Sequence, residues 1–142
     1  MNKEQLAATA NAIVAAGKGI LAADESTPTM AKRLALIGQG NTETHRRDFR
    51  QALFETAGLE QFISAVILFE ETLEQTTEDG RRLSGILESK GIIPGIKVDQ
   101  GAHPMEQSAA EKLTKGLDGL AERCVRYNSL GARFAKWRAV IT

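Results

Sequence analysis

Charged residues occur inside and directly after segments of the chain that are otherwise apolar. Asp24 follows GILAA, Lys97 and Asp99 lie in IIPGIKVDQG, and Lys136 and Arg138 lie in RFAKWRAVI. A lysine in a buried strand carries a large desolvation cost unless it faces a polar site. Side chains two residues apart on a strand share a face, so the two members of each pair project together. The pattern predicts a cluster of cations and carboxylates.

Such a cluster can do two kinds of chemistry. It can hold a phosphate group. It can also lower the pKa of a partly desolvated lysine amine beside other cations, which is the condition for a nucleophile or proton donor near neutral pH. The alternative interpretation is that these charges pair with one another structurally, or lie on an exposed edge strand. The pattern by itself leaves both interpretations open.

The segments that must position these residues alternate between helix and strand patterns. Helical spacing and cap residues predict helices over 3–16 with Asn2 as the cap, 28–38, 42–58, 81–91 and 117–131. The strand patterns are KGILAADES, SAVILFEET, IIPGIKVDQG and RFAKWRAVI, with Pro94 and Gly95 at an irregular start. Four such alternations with nearly continuous apolar strands predict an α/β fold with a parallel sheet. In a parallel barrel, the carboxyl ends of the strands converge on one mouth.

The same periodicities predict which side chains are buried. The first helix presents Leu6, Ala10, Ile13 and Val14 on one face, and the last presents Leu117, Leu120, Ala121, Cys124 and Val125. Leu83, Ile86 and Leu87 are expected to face inward, and Trp137 to pack on the outer side of its strand. Arg33 and Arg46 lie in charge-rich helices, where solvated side chains are the default. The stretch 102–110 is expected to be loose.

Composition excludes several classes of function. The 142 residues are 42% hydrophobic and 25% charged, which is typical of one globular domain, and 18 basic residues balance 18 acidic ones. This balance gives no bulk attraction to nucleic acid or to an anionic membrane. The apolar run at 65–69 is too short to span a bilayer. With a single cysteine, Cys124, the chain has no internal disulfide, and we expect a cytoplasmic protein. His45 and His103 are too isolated to form a metal-ligand cluster, so we expect no metal.

A set of ordered motifs resembles one family of enzymes. GKGILAADEST, AKRL, NTE, RR, ILFEETL, GIKVDQG, GLDGLAERC and FAKWRAV are similar, in order and interval, to class I fructose-bisphosphate aldolases. The match covers nearly the whole chain, and Pro28 and Thr29 depart from the family's small residues after DES. The resemblance implies a TIM (β/α)8 barrel and a metal-independent Schiff-base lyase without a cofactor. It also implies a homotetramer that acts on a sugar phosphate.

The resemblance also implies roles for particular residues. Asp24, Lys97, Lys136 and Arg138 match catalytic positions. Asp24 would act in carbon–carbon cleavage, Lys136 in proton transfer around the carbinolamine and in holding substrate charge, and the other two as electrostatic supports. Ser26, Arg33 and Arg46 match positions that the family uses near the sugar phosphate.

The implied reaction is the reversible cleavage of fructose 1,6-bisphosphate into dihydroxyacetone phosphate and glyceraldehyde 3-phosphate in glycolysis and gluconeogenesis. Such barrels need about 250 residues, and the family's Schiff-base lysine belongs to later strands. We therefore expect residues 1–142 to form a single domain, the N-terminal half of a barrel with four strands, that lacks turnover by itself. The alternative hypothesis is a non-catalytic half-barrel that binds phosphate or a partner.

Overall fold

A computed structural model describes residues 3–106 and 108–139. Within these residues the helices are α1 (Lys3–Ile13), α2 (Thr27–Ala35), α3 (Glu43–Glu55), α4 (Leu59–Phe62), α5 (Glu70–Glu74), α6 (Leu83–Ser89) and α7 (Leu120–Ser129). The strands are β1 (Gly19–Ala23), β2 (Ile63–Leu68), β3 (Ile93–Lys97), β4 (Ala102–Met105), β5 (Ser108–Thr114) and β6 (Phe134–Lys136). The Asn2 cap and the end of the fourth predicted strand lie outside the described residues.

The main sheet of the described chain is parallel and has the order β1-β2-β3-β6. Ala23 pairs with Leu68, and Lys97 pairs with Lys136, so the ends of the strands lie in register. The four predicted alternations of strand and helix are therefore confirmed. Because all four strands run the same way, the residues that follow them lie along one edge of the sheet.

The core lies between the sheet and the helices that cross it. Leu68, Leu83 and Leu87 are fully buried, and Ile86 is nearly so, which confirms the inward face predicted for α6. Burial of one such side chain contributes about 1.5–3 kcal/mol relative to exposure. Trp137 packs partly buried against this cluster, as expected for the outer side of its strand. This packing fixes the sheet whose edge carries the charged residues.

One predicted apolar face is wrong, and a second is right only in part. No residue of α1 is buried, and Leu6 and Val14 are 52% and 72% exposed. A hydrogen bond holds the end of this helix, because the Ser64 hydroxyl donates to the carbonyl oxygen of Ile13. In α7, the predicted Leu120 and Cys124 pack partly buried against the core, but Val125 is 74% exposed and the buried residue of the helix is Tyr127.

Three local features of the strands differ from the predictions. The stretch expected to be loose forms an antiparallel hairpin of β4 and β5. β2 ends at Leu68, and the acidic residues after it begin α5, where carboxylates favour a helix N-terminus. Gly95 lies inside β3 rather than at an irregular start. Glycine fits at this position because a Cβ there would overlap the ring of Phe134 on β6.

Two further boundaries differ from the predictions. Ser26, not Thr27, precedes the first residue of α2. β6 ends at Lys136, so Arg138 follows the strand rather than lying inside it. Among the described residues, no helix is long and apolar enough to cross a membrane.

Candidate active site

The charged residues of the strand ends surround one cavity. Asp24 follows β1, Lys97 ends β3, and Lys136 ends β6. They line a cavity of about 920 Å³, together with Glu25, Ser26, Arg33, Phe69, Glu70, Asp99, Lys112, Arg123, Tyr127, Arg138 and other residues. Residues separated by more than a hundred positions in the chain thus meet at the edge of the sheet.

An ion pair joins the outer strands of the sheet across this cavity. The ammonium of Lys136 donates to Oδ2 of Asp24 at 2.6 Å. The two side chains are 30% and 12% exposed, so the pair is sheltered but reachable from solvent. A carboxylate and an ammonium in direct contact can exchange a proton or bind a polar ligand between them.

A second pair lies beside the first. Lys97 donates to the carboxylate of Asp99 and, at 2.6 Å, to its carbonyl oxygen. Burial alone would raise the pKa of Asp99, but hydrogen bonds from Lys97 and from the backbone N–H groups of Arg138 and Gly101 hold it below its ordinary value. Asp99 is therefore a fixed carboxylate that orients Lys97 and the backbone at Arg138.

Of the three residues expected near a phosphate group, Ser26 and Arg33 line the cavity and Arg46 does not. Arg33 pairs with Glu25 at 3.0 Å and is 54% exposed. The hydroxyl of Ser26 lies 3.1 Å from that of Thr29. Thr29, a departure from the family pattern, thus contacts the serine itself.

Arg46 lies away from the cavity lining. It is buried and bonds to the carboxylate of Glu71 through two nitrogens, and it donates to the backbone and side-chain oxygens of Asn41 at 3.1 Å. The default interpretation of a solvated arginine is therefore wrong for this residue. Its phosphate-binding role stays a prediction, since Glu71 already occupies the guanidinium.

Arg50 is a functional candidate that the sequence analysis missed. Its side chain is 1% exposed, donates to the carbonyl oxygen of Glu25 at 2.7 Å and lies 5.9 Å from the ring centroid of Phe69. Burial lowers the pKa of Arg50, although the nearby Glu25 and Glu71 oppose this effect. It thus links the segments that follow β1 and β2, both of which line the cavity. A signal was available, because Arg46, Arg50 and Phe54 recur at helical spacing.

Tyr127 and Arg123 were also missed. The buried Tyr127 lines the cavity, and burial raises its pKa although a hydrogen bond with Arg123 opposes this. Arg123 donates to the carbonyl oxygens of Val98 and Gly116, which ties α7 to the end of β3. Both side chains lie on a helix whose predicted face did not include them.

The arrangement can bind anions and move protons. The described residues contain no group of three or more His, Cys, Asp or Glu side chains arranged to hold a metal ion. Cationic side chains outnumber carboxylates in the cavity, which favours a phosphorylated ligand.

Comparisons with known proteins agree on one family. The family model of class-I fructose-bisphosphate aldolase matches residues 5–142. A probable class 1 fructose-bisphosphate aldolase of Xanthomonas campestris is 55% identical over 141 residues, which are 99% of this chain and 42% of that protein. Fructose-bisphosphate aldolase 1 of Toxoplasma gondii is 55% identical, with 98% of this chain and 38% of that protein covered.

A solved structure is similar over the same region. Plasmodium falciparum fructose-bisphosphate aldolase, in complex with TRAP and a small-molecule inhibitor, superimposes with a TM-score of 0.93 at 55% identity. The match covers 96% of this chain and 39% of that one, so the partial parallel sheet has the fold of part of a TIM barrel. The chain spans about two fifths of the length of the curated relatives it matches.

Proposed function

The chain belongs to the class-I fructose-bisphosphate aldolase family, and we propose that it supplies the substrate-binding and electrostatic part of an aldolase site. The reaction is the reversible, metal-independent cleavage of fructose 1,6-bisphosphate into dihydroxyacetone phosphate and glyceraldehyde 3-phosphate. One observation carries this proposal: Asp24, Lys97, Lys136 and Arg138 meet around one cavity at the carboxyl ends of parallel strands.

The chemistry assigns separate roles to these side chains. A neutral lysine amine attacks the substrate ketone, and loss of water gives an iminium. Loss of the proton from the C4 hydroxyl then breaks the C3–C4 bond, releases the aldehyde and leaves an enamine, which is protonated and hydrolysed. Asp24 accepts the hydroxyl proton, and Lys136, in contact with it at 2.6 Å, transfers protons at the carbinolamine. Lys97 and Arg138 stabilise the negative charge of the substrate.

The nucleophilic amine is assigned to neither Lys97 nor Lys136. Lys97 bonds to Asp99 and Lys136 to Asp24, so each amine already donates to a carboxylate and is not free to attack a ketone. In this proposal the amine belongs to the part of the family's length that the present chain does not span. The described residues then hold the substrate and move its protons.

The finer parts of the proposal follow the family resemblance. They comprise a glycolytic and gluconeogenic role, a cytoplasmic location and a homotetramer. Ser26, Arg33 and Arg46 are included as groups that act near a phosphate. Of these, Arg33 has the exposure that exchange of Glu25 for a ligand requires.

A non-catalytic module is the second candidate. The observation that favours it is the pairing of Lys97 and Lys136 with carboxylates, which leaves a cationic pocket able to bind phosphate without forming an iminium. The same cavity would then serve as a binding surface for a phosphorylated ligand. Trapping of a covalent intermediate discriminates the two candidates.

The test uses the 142-residue chain and a hybrid in which residues 5–142 replace the matching segment of the Plasmodium falciparum relative. Both proteins are incubated with dihydroxyacetone phosphate, reduced with borohydride and mapped by mass spectrometry. We expect turnover of fructose 1,6-bisphosphate and an adduct outside residues 5–142 in the hybrid, and neither in the chain alone. Asp24→Asn should abolish turnover of the hybrid, whereas the exposed Asp48→Asn should not.

Two outcomes contradict parts of this proposal. An adduct on Lys97 or Lys136 with full turnover by the chain alone would overturn the assignment of the nucleophile. A folded hybrid that binds substrate but forms no adduct and shows no turnover would favour the non-catalytic module.

A further inference from the structure

The hairpin of β4 and β5 is held against the end of β3. The backbone N–H of Gln100 donates to the carbonyl oxygen of Lys115 at 2.8 Å, and that of Lys115 donates to Gly101 at 3.0 Å. At the base, Gly116 has φ +125°, and a Cβ there would lie 2.9 Å from the N of Gln100. Only glycine fits so close an approach. The hairpin therefore stands at a defined place beside the cavity.

One face of the hairpin is turned to the cavity. In an antiparallel pair, directly opposite residues share a face, and here Ala102 is opposite Thr114 and Pro104 opposite Lys112. Ala102 and Lys112 line the cavity. The Thr114 hydroxyl donates to the carbonyl oxygen of Arg138 at 3.0 Å. Lys112 lies on the same strand face as Thr114, two residues or about 7 Å away along the strand.

The cations of the cavity differ in what they contact. Those already engaged are Lys136 with Asp24, Lys97 with Asp99, Arg33 with Glu25, and Arg123 with two backbone carbonyls. Among the described residues, the ammonium of Lys112 and the guanidinium of Arg138 have no hydrogen bond or ion pair. Two unpaired cations on one side of a cavity repel each other until an anion lies between them.

We propose that Lys112 is a substrate-binding residue that clamps one phosphate group of the sugar phosphate together with Arg138. This inference rests on the proposed function. The guanidinium offers two parallel N–H donors to phosphate oxygens, and the lysine adds a mobile point charge. The hairpin thereby takes part in substrate affinity as well as in folding.

Calorimetric titration of the 142-residue chain with fructose 1,6-bisphosphate tests this role. Lys112→Ala should weaken binding about fivefold, as expected for a solvent-accessible ion pair, and Lys112→Arg should retain most of the affinity. Lys115→Ala is the matched control, because Lys115 is exposed on the same segment but does not line the cavity. The loss in Lys112→Ala with Arg138→Met should be smaller than the product of the single losses, because both residues act on one phosphate.

The outcomes separate this inference from the proposed function. Tight binding that is unchanged in Lys112→Ala overturns the role of Lys112 and leaves the proposed function standing. Equal losses in Lys112→Ala and Lys115→Ala would show bulk charge only and also overturn it. No binding by the unaltered chain overturns the role of Lys112 in this chain, whereas turnover by the hybrid decides the proposed function. Circular dichroism of each variant keeps a folding defect from being counted as lost affinity.

Discussion

Two clusters of charge in this chain use the same chemical groups in different surroundings. The mouth cluster, Asp24, Lys97, Asp99 and Lys136, lines the cavity at the ends of the strands. The helix cluster, Arg46, Arg50 and Glu71, lies behind it between α3 and α5. The lysines of the mouth cluster are 18% and 30% exposed, whereas the arginines of the helix cluster are 10% and 1% exposed.

The difference separates groups that can change partner from groups that cannot. A half-sheltered pair loses little when a ligand replaces one member, since solvent screens the charges before and after the exchange. The two guanidinium groups of the helix cluster have lost most of their hydration, so removal of their carboxylate partner leaves unpaired buried charge. The mouth cluster is therefore suited to binding, and the helix cluster to fixing the segments that carry it.

The largest effect that would sharpen this comparison is expected at Arg50. Arg50→Ala removes the bond to the carbonyl oxygen of Glu25 and leaves a cavity, so we expect a loss of about 3–5 kcal/mol in the free energy of unfolding. Urea denaturation followed by circular dichroism measures it. Arg81→Ala is the control, because that arginine is 54% exposed. Similar shifts in the two variants would contradict a structural role for the helix cluster.

A matched pair of carboxamide substitutions compares the clusters directly. Glu71→Gln weakens the charge-assisted bonds to Arg46 and should cost about 2 kcal/mol of unfolding free energy. Asp24→Asn disturbs the half-sheltered contact with Lys136 and should cost less than about 1 kcal/mol. The same denaturation measurement applies to both. The distinction between the clusters fails if Asp24→Asn proves the more destabilising of the two.

The smallest effect is expected in how the free energy of unfolding falls at acidic pH. The hydrogen bond from Arg46 holds the pKa of Glu71 below its ordinary value, with burial acting in the opposite direction. A depressed carboxyl pKa contributes stability that is full above the unfolded-state value, about 4.3, and is lost as the pH falls through the folded value. Glu71→Gln should therefore flatten the decline in unfolding free energy as the pH falls below about 5. Asp79 and Asp99, whose pKa values are also lowered, keep the remaining slope. Parallel curves for the variant and the unaltered chain would contradict this assignment.

The sequence predicted the mouth cluster because its charges interrupt apolar runs. A lysine among buried strand residues has few stable locations, and the carboxyl edge of a parallel sheet is one of them. The four strands and the helix at 83–89 were found for the same reason, since continuous apolar runs and helical spacing are strong local signals.

The helix cluster could not be found from charges that interrupt apolar runs. Periodicity counts an arginine as solvent-facing, yet Arg46 and Arg50 share the buried face of α3 with Phe54. Their burial depends on Glu71 and the backbone of Glu25, which are distant in the chain. The exposed sides of α1 and α7 escaped prediction for a related reason, since tertiary packing decides which apolar residues are covered. The hairpin 102–114 carries little alternation and depends on contacts at its base.

The close approach of Gly95 to the Phe134 ring constrains how this site can vary among related sequences. A side chain at position 95 can be accommodated only if the Phe134 ring moves aside or residue 134 becomes smaller, so the two positions are coupled. Because Lys97 and Lys136 lie two residues beyond them on the same strands, divergence in this packing moves both ammonium groups. The distances within the mouth cluster can thus change among related sequences without any substitution of its own residues.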